Sequence, residues 1–217
     1  MGRGGVEKHG SGQPTGETPW SELKKLRAEQ ERRDEDLRRR IMDALLELCG
    51  EVGYSNVSVG DIYRRYGGYR SQFYRYFDSK SDCFHAAFAL EAERFVDSVI
   101  GAGSVDGGCE VEPAFRWISG YLADETLRAR ALFIEVHVVA GPSLEMRHKC
   151  FQRLVSALDS AYRDGRSPSH PPITAEFMVH AIDQAIISAL IEENQQNFAT
   201  QVPELLTLID LAFNVKR

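Results

Sequence analysis

Apolar positions recur at intervals of three and four along most of the chain, the spacing of one helical face. Leu37, Ile41, Leu45 and Leu48 mark a helix over residues 34–52, which Gly53 is placed to close in the left-handed conformation. Ser58, with Asp61 three residues on, reads as the N-cap of a short helix that Gly67 and Gly68 end after about two turns. A second short helix carries Phe73 and Phe77 on one face, and Ser79 with Asp82 opens a longer one through Phe84, Phe88, Phe95 and Val99. After a loop over 101–108, helices are predicted over 113–123, 125–140 and 143–162. Another runs from a Thr174 cap to Asn197, and a last one starts at Pro203. No strand alternation and no internal repeat interrupts this pattern. The expectation is an all-α chain: an N-terminal three-helix domain with a helix-turn-helix, then a C-terminal helical bundle.

Composition divides the chain further. Residues 1–19 are Gly-rich with hardly an apolar side chain, and are expected to form a disordered tail. Residues 20–33 consist of strong helix formers with a sparse apolar stripe, predicting a charged extension, either a separate helix or a continuation of the next. The helix-turn-helix domain is placed at 34–81 and the helical remainder at 82–217. The 217 residues carry a net charge of −6, yet residues 1–80 hold 15 Lys/Arg against 13 Asp/Glu. Five basic residues (Arg64, Arg65, Arg70, Arg75, Lys80) face only Asp61 and Asp78 between positions 56 and 80. A locally basic module on an acidic protein suits nucleic acid, because the field near the contact governs binding. The N-terminus lacks a basic-then-apolar leader and there is no long apolar run, so a cytoplasmic protein without a membrane partner is expected. Cys49, Cys83, Cys109 and Cys150 form no CxxC pair, and neither a metal nor another cofactor is expected.

Two short helices joined by a Gly turn, the second anchored by two phenylalanines, leave Arg70, Ser71, Gln72, Tyr74 and Arg75 to face a groove. Arg and Gln side chains read guanine and adenine edges, while hydroxyl and Lys groups hold phosphates. The order Gly53-Tyr54, Val57-Ser58-Val59, Asp61-Ile62, Gly67, Phe73-Tyr74-Arg75-Tyr76-Phe77 and Ser79-Lys80 resembles the DNA-binding domain of TetR-family transcriptional regulators. The resemblance implies phosphate contacts from Ser58, Tyr76 and Lys80, and base or backbone contacts from Arg70, Ser71 and Tyr74. Gln72 and Arg75 fall at positions that vary in the family, which makes them candidates for sequence choice. The chain departs from the pattern at Tyr66, Gly68 and Tyr69, where the family usually has Ala, Val and Ser. Large-for-small beside small-for-large suggests that the Tyr66 ring fills the space of the missing valine. Tyr69 is a candidate DNA contact, but its side chain is too long to cap the recognition helix.

In the C-terminal half, Trp117, Tyr121, Phe133, His137, Phe151, Phe177 and His180 combine aromatic area with a few polar heads. They are the candidates to line a pocket for a small apolar or aromatic effector. The last helix is apolar nearly all round, and the helix before it carries small residues on one face. A homodimer interface from Ala181, Ala185, Ser188, Ala189, Leu205, Leu208, Ile209, Ala212 and Phe213 would cover both, with burial inside a single chain as the alternative. The resemblance implies the same dimer, a repressor that reads a pseudo-palindromic double-stranded operator and is released by a small-molecule effector. A regulator of the same type without a small-molecule signal is the second reading. No GxSxG, P-loop, Rossmann or HExxH motif supports an enzyme, and no catalytic residue is nominated.

Overall fold

The computed structural model describes residues 19–105, 108–163 and 173–214. The tail expectation therefore falls outside the described residues, apart from Pro19, which opens α1. Two compact units are distinguished, Met1–Leu37 and Arg38–Arg217. In the first unit the chain is the charged early part of α1 (Pro19–Val52). Arg27 pairs with Glu31 at 3.2 Å and Arg33 with Glu29 at 3.5 Å, while Trp20, Leu23 and Leu26 are exposed. The extension is thus the beginning of the next helix and not a separate one.

The second unit begins with the rest of α1 and is helical nearly throughout. It continues with α2 (Val59–Tyr66), α3 (Arg70–Tyr76), α4 (Lys80–Gly103), α5 (Val111–Asp124) and α6 (Thr126–Arg130). Then follow a π turn over Ala131–Glu135, α7 (Val136–Val139), α8 (Pro142–Arg163), α9 (Ile173–Ile191) and α10 (Gln195–Asn214). Ser104–Val105 pairs with Gly108–Cys109 in a two-residue antiparallel ladder, where a loop is expected from sequence. Among the described residues no helix is long and apolar enough to cross a membrane.

Local signals act as the sequence predicts. Ser58 accepts the Asp61 N–H while Asp61 accepts the Ser58 N–H at 2.8 Å, a reciprocal cap for α2. Gly67 takes a left-handed φ of 75° and turns the chain toward α3. Ser79 accepts from the Asp82 N–H at 3.0 Å and opens α4. Ile41, Leu45, Ile62, Phe73 and Phe84 are buried in the core of the N-terminal helices.

Two boundaries differ from the reading above. The Thr174-capped helix starts at Ile173 and stops at Ile191, short of Asn197, with Glu193 in a left-handed conformation at φ 53°. Pro203 lies inside α10 and does not start it. Phe198, fully buried and 6.2 Å from Phe115, ties the turns before Pro203 to α5. Tertiary packing thereby outweighs the missing Pro N–H.

Candidate functional site

The short helix α3 is held from below and open above. Phe73 and Phe77 are buried, their rings 5.8 Å apart, and the Arg38 guanidinium lies 5.4 Å from the Phe77 ring. Tyr69, Arg70, Ser71, Tyr74 and Arg75 are exposed, and Gln72 and Tyr76 are half-buried. Arg70 sits 5.4 Å from the Tyr74 ring and Arg75 the same distance from the Tyr76 ring, each a cation–π spacing. The Tyr69 side chain makes no cap. Gln72 Oε1 accepts the Tyr69 N–H at 2.9 Å instead, so one end of the residue considered for base choice is engaged within α3.

The turn before α3 bears out the space argument geometrically. A Cβ on Gly68 would lie 2.0 Å from the Tyr66 ring, far inside contact distance. Tyr66 is buried, its hydroxyl donates to the Tyr69 carbonyl at 3.0 Å, and its own carbonyl accepts from Arg40 at 2.6 Å. The ring is therefore fixed where a larger residue 68 would stand.

Basic residues near α3 divide into two groups. Arg64 pairs with Asp61, and Arg65 makes a two-pronged pair with Glu51, which holds the Glu51 carboxyl below its ordinary range. Their charge is matched within the fold, so the basic count of the segment overstates what α3 and its surroundings offer an anion. Lys80, which the resemblance implies as a phosphate contact, is also engaged within the fold. Its ammonium donates to the Tyr54 and Val57 carbonyls, both at 2.7 Å, and lies 3.9 Å from the Tyr54 ring centroid. Ser58 is exposed, with its hydroxyl donating to the Asp61 carboxylate at 2.5 Å.

Sequence reasoning missed how α1 and the turn after it are clamped. Gly50 lets the backbone of α6 approach, since a Cβ there would lie 2.1 Å from the Leu127 carbonyl oxygen. Arg130 bridges the Gly50 and Leu190 carbonyls at 3.1 and 2.8 Å. Arg128 pairs with Asp43 at 2.9 Å and Glu125 at 3.1 Å and lies 3.5 Å from the buried Glu91. Glu135 accepts the Tyr54 N–H at 2.7 Å. Arg130 immediately precedes the π turn and Glu135 is its last residue, so the positions of α1 and of Tyr54 both depend on how that turn is wound. The one available signal was the glycine inside a helical pattern.

The expected pocket separates into parts. One half-open cleft of about 390 Å³, counting the space open to solvent, is lined by Phe133 and Phe151 together with Phe95, Leu132, Cys150, Arg147 and Asp183. Arg147 donates to both Asp183 oxygens, at 2.7 and 2.6 Å. Trp117 and Tyr121 do not line it. They stack on each other at 5.3 Å and pack edge-on to Phe95, while the buried Tyr121 hydroxyl donates to Glu91 at 2.8 Å. Burial pushes the Tyr121 phenol well above its usual range. His137, Phe177 and His180 are exposed, although the His180 ring lies 4.2 Å from that of Phe151. A half-open cleft of about 640 Å³, counting the space open to solvent, lies among α4, α5, α8 and α9, and sequence did not indicate it. It shares only Leu154 with the first, and none of the expected pocket residues line it.

The expected interface residues also divide. Ala189, Ile209 and Phe213 are buried by the chain's own helices, so these three follow the single-chain alternative. Ala181, Ala185 and Leu205 are half-buried, Ser188 and Leu208 are exposed, and the side chain of Ala212 lies outside the described residues. Exposed Phe177, Ile191 and Leu211 extend the same apolar stripes of α9 and α10. Cys49 and Cys83 are buried free thiols, with Cys49 pushed up to about 12 by burial and Cys83 higher still. Among the described residues no cluster of His, Cys, Asp and Glu could hold a metal.

Comparison with known proteins agrees with this geometry. Residues 41–87 match the model of bacterial regulatory proteins of the tetR family. No curated protein matches the chain. Among solved structures, the fatty acid degradation regulator FadR from Bacillus halodurans superposes with a TM-score of 0.69 at 18% identity, covering 79% of this chain and 93% of that one. FadR from Bacillus subtilis, in complex with stearoyl-CoA, gives 0.64 at 17% identity, with 82% and 98% covered. The reduced form of NemR from E. coli gives 0.62 at 15% identity, with 78% and 95% covered. Those likenesses are of fold, and the matched segment runs from Ile41 within α1 through α2 and α3 into the start of α4. The helix-turn-helix segment is therefore similar to the DNA-binding domain of the tetR family of bacterial regulatory proteins, and the all-helical fold that carries it is shared with those solved structures.

Proposed function

We propose that the chain acts as a homodimeric repressor that binds a pseudo-palindromic operator and is released by a small-molecule effector. The observation that carries the reading is α3, fixed underneath by Phe73 and Phe77 while Arg70, Ser71, Tyr74 and Arg75 stand exposed on it. Arg70 and Arg75 supply base and phosphate contacts, Ser71, Tyr74, Tyr76 and Tyr69 position the backbone, and Ser58 adds a hydroxyl at the start of α2. Lys80 contributes by holding Tyr54 and Val57 in place.

Dimerisation is supported by the exposed stripes of α9 and α10, where Phe177, Ile191, Leu208 and Leu211 would otherwise stay in water. Two copies would set their α3 helices about 34–36 Å apart, or a multiple of that, to enter successive major grooves. Release by a ligand is supported by the clefts and by the π turn. Leu132 and Phe133 belong to that turn and line one cleft, while Arg130 just before the turn holds Gly50 and Glu135 at its end holds Tyr54. A ligand that favours one winding of the turn opposes the DNA-bound arrangement through a single coupling free energy. The Bacillus subtilis neighbour is in complex with stearoyl-CoA, which supports a ligand for a chain of this fold.

The test combines light scattering with gel shifts on DNA upstream of the chain's own gene. A dimer that shifts one fragment selectively is expected, and Leu208→Glu with Leu211→Glu should abolish both dimer and shift. A monomer, or equal affinity for all fragments across a salt titration, would refute the reading.

A further inference from the structure

We infer that Gln72 reads the operator as a hydrogen-bond donor alone, so that the base it meets is guanine and not the adenine that a free glutamine pairs with. The inference rests on the DNA-binding reading proposed above and names the base preference of one residue within it. At about 100° per residue, the direction opposite the buried Phe73 and Phe77 falls on Arg75, with Ser71 and Gln72 within about 60° of it on either side. Gln72 thus stands on the outward face of α3, with its amide folded back on the turn before that helix.

A glutamine reads adenine with both ends of its amide: the oxygen accepts from N6 and the nitrogen donates to N7. In this chain the oxygen is committed. Only the oxygen of an amide can accept a backbone N–H, so the 2.9 Å contact from the Tyr69 N–H fixes which end points inward. The same oxygen lies where a side chain on residue 68 would stand, 2.5 Å from an ideal Cβ on Gly68, so its second lone pair faces the turn and not a groove. A larger residue 68, as the family usually has, would displace it. The Tyr66 hydroxyl donates to the Tyr69 carbonyl at 3.0 Å and keeps that residue in place on its other side. What remains for the groove is Nε2, which donates and cannot accept. Guanine offers it both O6 and N7, adenine only N7 and thymine only O4, while cytosine presents an amino group of its own. The expected order at the contacted base therefore has guanine first and cytosine last.

The experiment selects sequences from a library of random duplexes with the full-length wild type, Gln72→Glu and Gln72→Lys, read by sequencing, with a thermal melt of each protein. The two variants separate capping from reading. Glutamate at this place in a helix caps as glutamine does but donates nothing, whereas lysine donates and cannot cap. Gln72→Glu should melt with wild type yet lose, at one column of each half-site, a guanine enrichment of about tenfold over cytosine. Gln72→Lys should melt lower and keep that guanine. If the lysine variant does not fold, the comparison of Gln72→Glu with wild type decides alone. Identical motifs from wild type and Gln72→Glu would leave Gln72 a cap and nothing more, and adenine in place of guanine at the affected column would mean that its oxygen is free; either result overturns the inference. Both leave the regulator reading standing, because a motif has been selected. The absence of any enriched sequence with wild type sinks that reading and this inference with it.

Discussion

Tyr66 and Gly68 form a pair whose energies should not add. The Tyr66 ring occupies the place of a residue-68 side chain, with the nearest ring carbon 2.0 Å from an ideal Cβ. Gly68 has an ordinary φ, so space alone excludes a larger residue there. Tyr66→Ala removes a buried ring together with its hydrogen bond to the Tyr69 carbonyl. Truncating a buried aromatic costs about 3 kcal/mol at the low end of the usual range, which fits a residue near the domain surface. Gly68→Val alone must displace that ring, an overpacking penalty of about 2 kcal/mol. In the double variant the valine enters the space the ring has left, and its burial restores about 1.5 kcal/mol. The expected order of stability is wild type, then the double variant close to Gly68→Val, with Tyr66→Ala the least stable. The coupling free energy should be roughly 3.5 kcal/mol in favour of the pair. Urea unfolding followed by circular dichroism, with all four proteins in one buffer, measures it. Additivity within about 0.5 kcal/mol, or a double variant no more stable than Tyr66→Ala, would show that the two positions do not share one space.

Three further outcomes are expected. Lys80→Met should lower stability by about 2 kcal/mol, the scale of hydrogen bonds from a charged donor, yet leave the salt dependence of operator binding nearly unchanged, whereas Arg70→Ala should reduce the slope by about one; a fall of about one for Lys80→Met would return that residue to the phosphate backbone. Gly50→Ala places a methyl 2.1 Å from the Leu127 carbonyl oxygen and should destabilise more than Ala replacements elsewhere in α1, read from thermal melts; a neutral effect would mean that α1 and α6 can separate at no cost. Asp61 is held below its ordinary range chiefly by the Ser58 hydroxyl, then by the Ser58 N–H, so its contribution is present above the unfolded carboxyl value of about 4 and is lost as pH falls through the lower folded value. Melting temperatures of Asp61→Asn should therefore be lower than wild type at neutral pH and converge with it in acid, and a gap that persists at low pH would contradict that origin.

What the sequence made legible is local. Ser58 with Asp61, Ser79 with Asp82, Gly67 in its left-handed turn and the Phe73–Phe77 spacing each act within one helical turn, so their partners lie a few residues away. Even the Tyr66–Gly68 substitution was readable, because both residues belong to one turn. The rest depends on groups brought together from afar. Lys80 meets carbonyls more than twenty residues back, and Gly50 makes room for a backbone more than seventy residues on. Aromatic residues drew attention to Trp117 and Tyr121, which serve packing, while the larger of the two clefts described is lined mostly by aliphatic side chains, types that fill every helical core. Ile209 and Phe213 illustrate the same limit. An apolar helix must be covered, but periodicity alone does not say which side its own chain covers.

The π turn over Ala131–Glu135 also sets the phase of everything that follows it. Deleting one residue there would restore a regular helix, but would rotate the downstream side chains by about 100° and draw them back by about 1.5 Å. Glu135 would swing away from the Tyr54 amide, while Arg130, on the upstream side, would keep its hold on Gly50. That single surplus residue works like a shim between two machined parts: its thickness is small, and the alignment of both parts is cut to it.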